Sequence, residues 1–252
     1  MFKITQIFLA LLLGMNLFSC SVIDRKNTAE LQKHENTDKL KFAGDMLSFS
    51  EKIGDESETN SRMIVTEGYL RIDDGPKSVD FVLFDRANKV IYNVIAEEKS
   101  IMVIDSQDEA HLLKLKSDFP ILWNVESQTS HALVKNDDQN SASATHYSLK
   151  LNQKECYNLV ALDQGMDKPL AALREFRQAL ANQLMSQYKR QQGQECYEAV
   201  NVFTPLNHLH QGFPIREWSI YGYQRFLVDY RKMIIFPKRL FMLPEGYSQI
   251  KI

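Results

Sequence analysis

Two cysteines and two histidines are the residues whose spacing in this sequence suggests chemistry. Cys156 and Cys196 lie 40 positions apart, and His208 and His210 form a His-x-His pair. On a strand that spacing places both rings on one face, whereas on a helix it points them in roughly opposite directions. Because no cysteine or carboxylate lies close to the pair in sequence, we predict no metal site. The other histidines are isolated and are expected to be surface or core groups: His34, His111, His131 and His146.

Motifs of enzyme chemistry are absent from the sequence. There is no Gly-x-Ser-x-Gly nucleophile elbow, no His-Glu-x-x-His zinc motif, no phosphate-binding glycine loop and no dinucleotide fingerprint. Asp137 and Asp138 carry carboxylates that suit calcium, but their order does not match the EF-hand pattern, and we expect an exposed turn there. The sequence therefore predicts a protein that is not an enzyme and that uses no cofactor.

The first twenty residues have the pattern of a secretory signal. Lys3 supplies a positive charge, and Ile7 to Leu13 form an unbroken apolar run. The following Leu17-Phe18-Ser19-Cys20 resembles a bacterial lipobox, although its phenylalanine is bulkier than that pattern prefers. The resemblance implies a lipoprotein signal peptide over residues 1–19 and lipidation of Cys20, which becomes the new N-terminus.

Two other fates of this segment stay open. Cleavage after Ser21 would release a soluble protein without Cys20. An uncleaved membrane helix is the other alternative, but Ile4 to Phe18 is shorter than the roughly 20 residues that a span needs. If Cys20 carries two or more acyl chains, the membrane anchor is stable. Because Ser21 is not the aspartate that resembles an inner-membrane retention signal, we expect the periplasmic face of the outer membrane.

The exported location decides how the two remaining cysteines are interpreted. Cys156 and Cys196 form an even pair in an oxidising compartment, so a disulfide is expected. Closing a loop of this length stabilises a fold by roughly 4 kcal/mol on chain-entropy arguments. A redox or metal pair is the alternative, but no Cys-x-x-Cys spacing supports it.

The charge is unevenly distributed along the chain. The 252 residues have 44% hydrophobic and 25% charged side chains and a net charge of −2, which argues against a nucleic-acid partner. However, residues 213–252 hold seven Lys or Arg and three Asp or Glu. The simpler interpretation, which needs no function, is a hairpin with a solvated basic face. The alternative is a surface that faces anionic lipid or an acidic partner.

The elements that position these residues begin with strands. Residues 20–43 are polar and suit a tether, after which the hydrophobic pattern takes a period of two. Short strands with short turns predict an antiparallel meander, which is apolar on both faces. The predicted strands are Leu47–Ile53, Met63–Ile72, Val79–Phe84, Val90–Ile95, Ile101–Ile104, His146–Leu151, Cys156–Leu162, Ile215–Tyr221 and Gln224–Ile235, with weaker signals at Ile121–Val125 and Ala132–Val134.

Two helices are predicted between the strands. The first begins near Asp167, carries apolar residues along one face and ends near Lys189 and Arg190. The second covers Glu195–Leu209, where Pro205 should kink or split it.

The order of these segments resembles a known group of bacterial envelope proteins. The resemblance rests on the lipobox, on Tyr69-Leu70-Arg71-Ile72, Val82-Leu83-Phe84-Asp85 and Val90-Ile91-Tyr92-Asn93-Val94, on a long helix, and on Gly212-Phe213-Pro214-Ile215 and Leu243-Pro244-Glu245-Gly246-Tyr247. The group is mostly uncharacterised, and its fold is similar to that of the lipoprotein carriers LolA and LolB. The resemblance implies an α+β fold, an antiparallel meander forming an incomplete, half-open β-barrel with helices packed on or in its concave face, in a single domain over residues 44–252.

The function that we predict follows from this fold. A concave apolar face suits an apolar or lipid-bearing ligand, with Leu173, Phe176, Leu180 and Leu184 on the helix side and Val90, Tyr92 and Val94 on the sheet side. The alternative is a packed interaction module whose outer surface binds another envelope component, with Arg231 and Lys232 in the basic C-terminal hairpin as candidates. The expected disulfide departs from a carrier, because it would restrain the opening that cargo requires.

Overall fold

The computed structural model describes residues 40–105, 123–129, 143–186, 188 and 193–252. The predicted signal peptide, Cys20 and nearly all of the tether lie outside these residues. So do His34, His111, His131, Asp137, Asp138, Lys189 and Arg190, together with the weak strand signal at 132–134.

Within the described residues, a sheet of twelve strands forms the body of the molecule. The strands are β1 Lys41–Ile53, β2 Thr59–Thr66, β3 Tyr69–Asp73, β4 Phe81–Asp85, β5 Val90–Ile95, β6 Ser100–Ile104, β7 Trp123–Thr129, β8 Ala144–Leu151, β9 Lys154–Leu162, β10 Phe213–Ser219, β11 Tyr223–Pro237 and β12 Ser248–Lys251.

Most strands of the sheet pair with their sequence neighbours. Their order is β12-β6-β5-β4-β3-β2-β1-β11-β10-β9-β8-β7. All pairs are antiparallel except β12 with β6, which is parallel. The pairing between the strands most distant in sequence is that of β1 with β11, where Lys41 is opposite Pro237. The sheet is not closed, and the expectation of an open α+β fold with a meander is confirmed.

One predicted strand is a hairpin instead. The segment 63–72 divides into the end of β2 and the start of β3, joined by a turn at Glu67 and Gly68. The backbone N–H of Tyr69 donates to the Thr66 hydroxyl across this turn, at 3.0 Å. Without Pro, Asn or Asp, which mark many turns, the segment reads as one continuous strand. A single Gly carries the signal, so the prediction missed a strand boundary.

Helix α1 spans Asp167–Ser186 and lies against one face of the sheet. Its apolar residues join those of the strands in a single cluster, which we call the helix-side core. Within it, the rings of Phe84 and Phe176 meet edge to face with centroids 5.8 Å apart. Further members are Leu47, Phe49, Val65, Leu70, Ile91, Leu173 and Phe213.

A separate cluster covers the other face of β2 and of β4 to β6, and we call it the outer core. It contains Ile64, Leu83, Val94 and Val103, with Phe236 and Phe241 from the C-terminal segment. A 3-10 turn at Lys238–Phe241 brings Phe241 against this face, and the Arg71 guanidinium donates to the Leu240 carbonyl at 2.7 Å. The apolar character of both faces of the meander is explained, since each face has its own cover.

The predicted second helix is broken into three short pieces. Helix α2 covers Glu195–Glu198 and continues as a π-helical turn over Ala199–Phe203, and a 3-10 turn follows at His208–Gln211. Pro205 lies between the last two pieces and, lacking an N–H, cannot continue a helix. The split predicted at this proline is confirmed.

Candidate functional site

The residues predicted to line an apolar site lie in different parts of the structure. Leu173 and Phe176 belong to the helix-side core and are 2% and 5% exposed, and Leu180 packs against it. Val94 belongs to the outer core, against which Val90 and Tyr92 pack. The structure therefore does not bring the two groups together. A period of two separates the faces of a strand, but it does not say which face the helix covers.

Two neighbours of these residues correct the predicted set. Ile91 is the β5 residue in the helix-side core, and it is fully buried. Leu184 instead packs against a small cluster of Met185, Val202 and Phe203 at the end of α1. Of the four predicted helix residues, Leu173 and Phe176 are buried and Leu180 and Leu184 are partly buried, while the predicted β5 residues lie on the face that packs in the outer core.

The two histidines of the His-x-His pair are separated by the 3-10 turn. His208 is buried and His210 is exposed. Among the described residues, no group of three or more His, Cys, Asp or Glu side chains is placed to hold a metal ion.

Cys156 and Cys196 form the disulfide that the sequence predicted. Their Cα atoms are 5.2 Å apart. Leu149 is opposite Tyr157 and Lys150 is opposite Glu155, so Cys156 is an extra residue in a β-bulge of β9. The bond fastens α2 to β9 at this bulge.

A buried polar cluster lies beside the disulfide, and sequence reasoning missed it. It consists of Tyr157 on β9, His208 in the 3-10 turn, Glu217 on β10 and Arg225 on β11. Glu217 faces Arg225 across the strand pair, and Arg225 faces Glu51 of β1 on its other side. Alternating acidic and basic residues on adjacent strands were the available signal, but it emerges only once the pairing of β1 with β11 is known.

Hydrogen bonds and ion pairs connect the cluster. The Tyr157 hydroxyl donates to Glu217 Oε1 at 2.7 Å, and the Arg225 guanidinium pairs with the same carboxylate. That guanidinium also lies 4.6 Å from the centre of the Phe49 ring. His208 Nε2 is 3.9 Å from Glu217 Oε1. Strands β9 and β11 are thus tied to one carboxylate on β10, and His208 lies beside that carboxylate without a hydrogen bond to it.

The protonation states of the cluster follow from burial and from neighbouring charges. Burial lowers the pKa of His208 to about 3, helped by the positive charges of Arg177 and Arg225. Burial alone would raise the pKa of Glu217, but Arg225, together with His208, Arg177 and the hydrogen bond from Tyr157, outweighs it, and the net shift is downward. Burial opposes the charge on Arg225, yet Glu217, with Tyr223, Glu51 and Tyr157, raises its pKa overall. At neutral pH the cluster holds a buried ion pair and a neutral imidazole.

Burial also limits what the cluster can do. His208 and Glu217 are each 1% exposed, so no substrate reaches them in this conformation. Gly212 joins the turn that carries His208 to β10, with a φ of +121°, and a side chain there would overlap the Leu162 carbonyl. A buried ion pair in such a joint is better suited to fixing strand register than to turnover.

Comparisons with known proteins give no family. No family model matches the chain, and no curated protein matches it either. An uncharacterised conserved protein from Thermus thermophilus is similar over 88% of this chain and 99% of its own, at 9% identity and a TM-score of 0.40. PNGF-II is similar over 83% of this chain and 32% of its own, at 7% identity and a TM-score of 0.37. Likenesses at this level carry no argument about function.

The exposed surface offers a second candidate site, at the start of β1 and the end of β11. Three large apolar side chains are exposed there: Leu40 at 55%, Met233 at 63% and Ile235 at 57%. Lys41, Lys232 and Lys238 lie among them. We call these six residues the basic apolar face.

The pairing of β1 with β11 explains how this face forms. Lys41 is opposite Pro237, and the Lys238 N–H donates to the Leu40 carbonyl at 2.9 Å. A register shift leaves Lys232 and Met233 without partners on β1. Asp45 stabilises this bulge, since its Oδ1 accepts the Met233 N–H at 3.1 Å. The apolar sequence Met233–Phe236 is typical of a buried core segment. The pairing with its bulge shows that Met233 and Ile235 face solvent.

The charge of this face is mainly positive. Arg231 lies beside it and pairs with Asp229 at 2.7 Å, so its charge is largely compensated. Lys232 Nζ lies 5.6 Å from the centre of the Tyr230 ring. Asp45 is buried and already accepts hydrogen bonds from Tyr230 and Met233. Exposed apolar side chains with lysines as close neighbours in the chain are typical of an interaction surface.

Proposed function

We propose that the protein is a non-enzymatic, lipid-anchored component of the bacterial outer membrane that acts as an interaction module. The basic apolar face carries this proposal, because it combines exposed apolar side chains with positive charge. Its binding site lies at the end of the β1–β11 pair, where Ile235 points away from the outer core that holds its neighbours Ile234 and Phe236, and the component that it binds is anionic.

The anchor in this proposal is Cys20, and the location is the periplasmic face of the outer membrane. The lipobox-like sequence before Cys20 supports both, as does the disulfide, which suits an oxidising compartment. No helix within the described ranges is long and apolar enough to cross a membrane.

The fold in this proposal is an incomplete barrel that curls around α1. Ile91 of β5 and Phe213 of β10 share the helix-side core with α1, yet six strand spacings separate β5 from β10. In a flat sheet those strands would lie about 29 Å apart, at about 4.8 Å per spacing, so α1, which at 20 residues is about 30 Å long, would have to cross every intervening strand to reach both. In this proposal the sheet curves instead, so that both strands approach the helix and α1 lies on its concave face.

A photo-crosslinking residue at position 233 of the full chain, expressed in its native cells, tests the proposed surface. Val79 is the matched control, because it is 62% exposed and lies in the loop between β3 and β4, two residues from Lys77. We expect adducts from position 233 that disappear with Lys232→Glu, and none from position 79. Equal labelling at both positions, or none at 233, would remove this surface from consideration.

An apolar ligand inside the curved sheet is the second candidate function. The observation that favours it is the continuous apolar lining that β1 to β5 and β10 would present if α1 moved. Leu173, Phe176 and Leu180 would remain the helix-side residues, with Ile91 on the sheet side. Native mass spectrometry of protein purified without detergent tests it, since a stoichiometric lipid that Leu180→Asp abolishes without unfolding would support it.

A further inference from the structure

We propose that the basic apolar face docks onto the anionic lipid surface of the membrane that holds the anchor. The inference rests on the proposed function and names the partner of the same site. Lysine ammonium groups attract anionic headgroups, and exposed apolar side chains enter the boundary between headgroups and acyl chains. Lys41, Lys232 and Lys238 supply the charge, and Leu40, Met233 and Ile235 supply the apolar area.

The position of the face in the chain favours a membrane over other anionic partners. The face includes Leu40 and Lys41, which lie at the start of β1 and of the part of the chain that the structure describes. Twenty residues separate Leu40 from Cys20, and a fully extended chain of that length spans at most about 70 Å. The anchor therefore holds this end of the domain near the bilayer, and tethering raises the effective concentration of the lipid surface at the face.

Charge also argues against a second copy as the occupant. Two identical faces would bring six lysines together, and like charges across an interface repel. A protein with an acidic surface would complement the positive charge of the face. However, the tether does not raise the concentration of such a protein near the face. We therefore treat an acidic protein as an outcome of the test.

The full acylated protein, incorporated into vesicles, allows docking to be separated from anchoring. Met233→Cys is labelled with a polarity-sensitive fluorophore, while Cys156 and Cys196 stay in their disulfide. Val79→Cys is labelled as the matched control, since Val79 and Met233 are equally exposed. Vesicles contain phosphatidylcholine alone or phosphatidylcholine with phosphatidylglycerol, and flotation measures the anchoring.

The expected result is a blue shift at position 233 only in vesicles with phosphatidylglycerol. It should disappear with Lys232→Glu combined with Lys238→Glu, and in 1 M salt, where the Debye length is about 3 Å. Lys77→Glu, an exposed lysine beside the control position, should leave it unchanged. Circular dichroism and thermal unfolding confirm that each variant folds.

Each contrary outcome has a distinct meaning. If the protein floats with vesicles but positions 233 and 79 respond alike, or the lipid charge makes no difference, the inference is wrong and the anchor stands. If a protein adduct from position 233 accompanies no shift on vesicles, an acidic protein is the partner. A protein that does not float at all contradicts the proposed lipid anchor itself.

Discussion

Glu217 is the residue on which the buried polar cluster depends, because it accepts a hydrogen bond from Tyr157 and neutralises the charge of Arg225. Glu217→Gln keeps the size of the side chain but removes the charge, so Arg225 keeps only the more distant Glu51 carboxylate across the strand. We expect the free energy of unfolding to fall by about 3 kcal/mol, as for other broken buried pairs. Urea unfolding measures this change.

Two variants make the test of Glu217 specific. Glu97→Gln, at an exposed turn, should change the stability by less than about 0.5 kcal/mol. Adding Arg225→Met to Glu217→Gln should recover part of the loss, because the unpaired charge is then gone. A Glu217→Gln protein as stable as the wild type would show that the ion pair contributes nothing to the fold.

His208 makes the stability of the protein depend on pH. Its pKa is 6.5 in an unfolded chain and about 3 in the fold, so between these values only the unfolded chain takes up the proton. Acidification in that window therefore favours unfolding, and we expect a loss of about 2 kcal/mol from pH 7.5 to pH 5. Protonation of Glu217 also lowers the free energy of unfolding, but only at lower pH, since the pKa of Glu217 lies below 4.5.

Urea unfolding across that pH range checks the role of His208. The groups that face the imidazole are Glu217, Arg225, Arg177 and Tyr157. His208→Gln should flatten the pH dependence even if it lowers stability at every pH. His210→Gln, two residues along and exposed, should retain it. Equal slopes in the wild type and His208→Gln would contradict the buried, neutral imidazole.

At the scale of elements, the disulfide stabilises the segment that covers the polar cluster. It joins α2 to the β9 bulge and closes a loop of 40 residues. Replacing both Cys156 and Cys196 by Ala should lower the free energy of unfolding by about 4 kcal/mol. Chemical unfolding measures this, and the wild type with its disulfide reduced provides the control. A double variant as stable as the oxidised wild type would mean that packing alone holds α2.

Local patterns predicted most elements but not their partners. The apolar face of α1 and the strand 90–95 follow from periodicity, and Pro205 marks the break before the 3-10 turn. The turn at Glu67 and Gly68 was missed because one Gly carries it. Which face of β5 meets α1 was also unpredictable, since both Ile91 and Val94 are apolar and each has a different cover.

At the scale of the whole molecule, both candidate sites depend on the pairing of β1 with β11. Glu51 faces Arg225 in one site, and Lys41 faces Pro237 in the other. These partners lie more than 170 positions apart, so no local pattern in the sequence indicates them. The sequence predicted the excess of positive charge in residues 213–252, but not the bulge that exposes Met233 beside it.

Long-range pairing also predicts the order of folding. Hairpins from β2 to β5 close short loops, whereas β1 and β11 must close a very long one, which is slow. Pulse-labelled hydrogen exchange during refolding, with the disulfide intact, should protect β2 to β5 before β11. Simultaneous protection of all these strands would show that the sheet forms in one step.

Synthesis gives this pairing a consequence in time. A polypeptide is made with its N-terminus first, so β1 emerges early and waits for about 170 residues before β11 can join it. Throughout that interval, a strand of 13 residues offers an open edge to any other extended chain. The newly synthesised protein is therefore most at risk of aggregation before its own C-terminus emerges, and a holding chaperone would be needed only for that period.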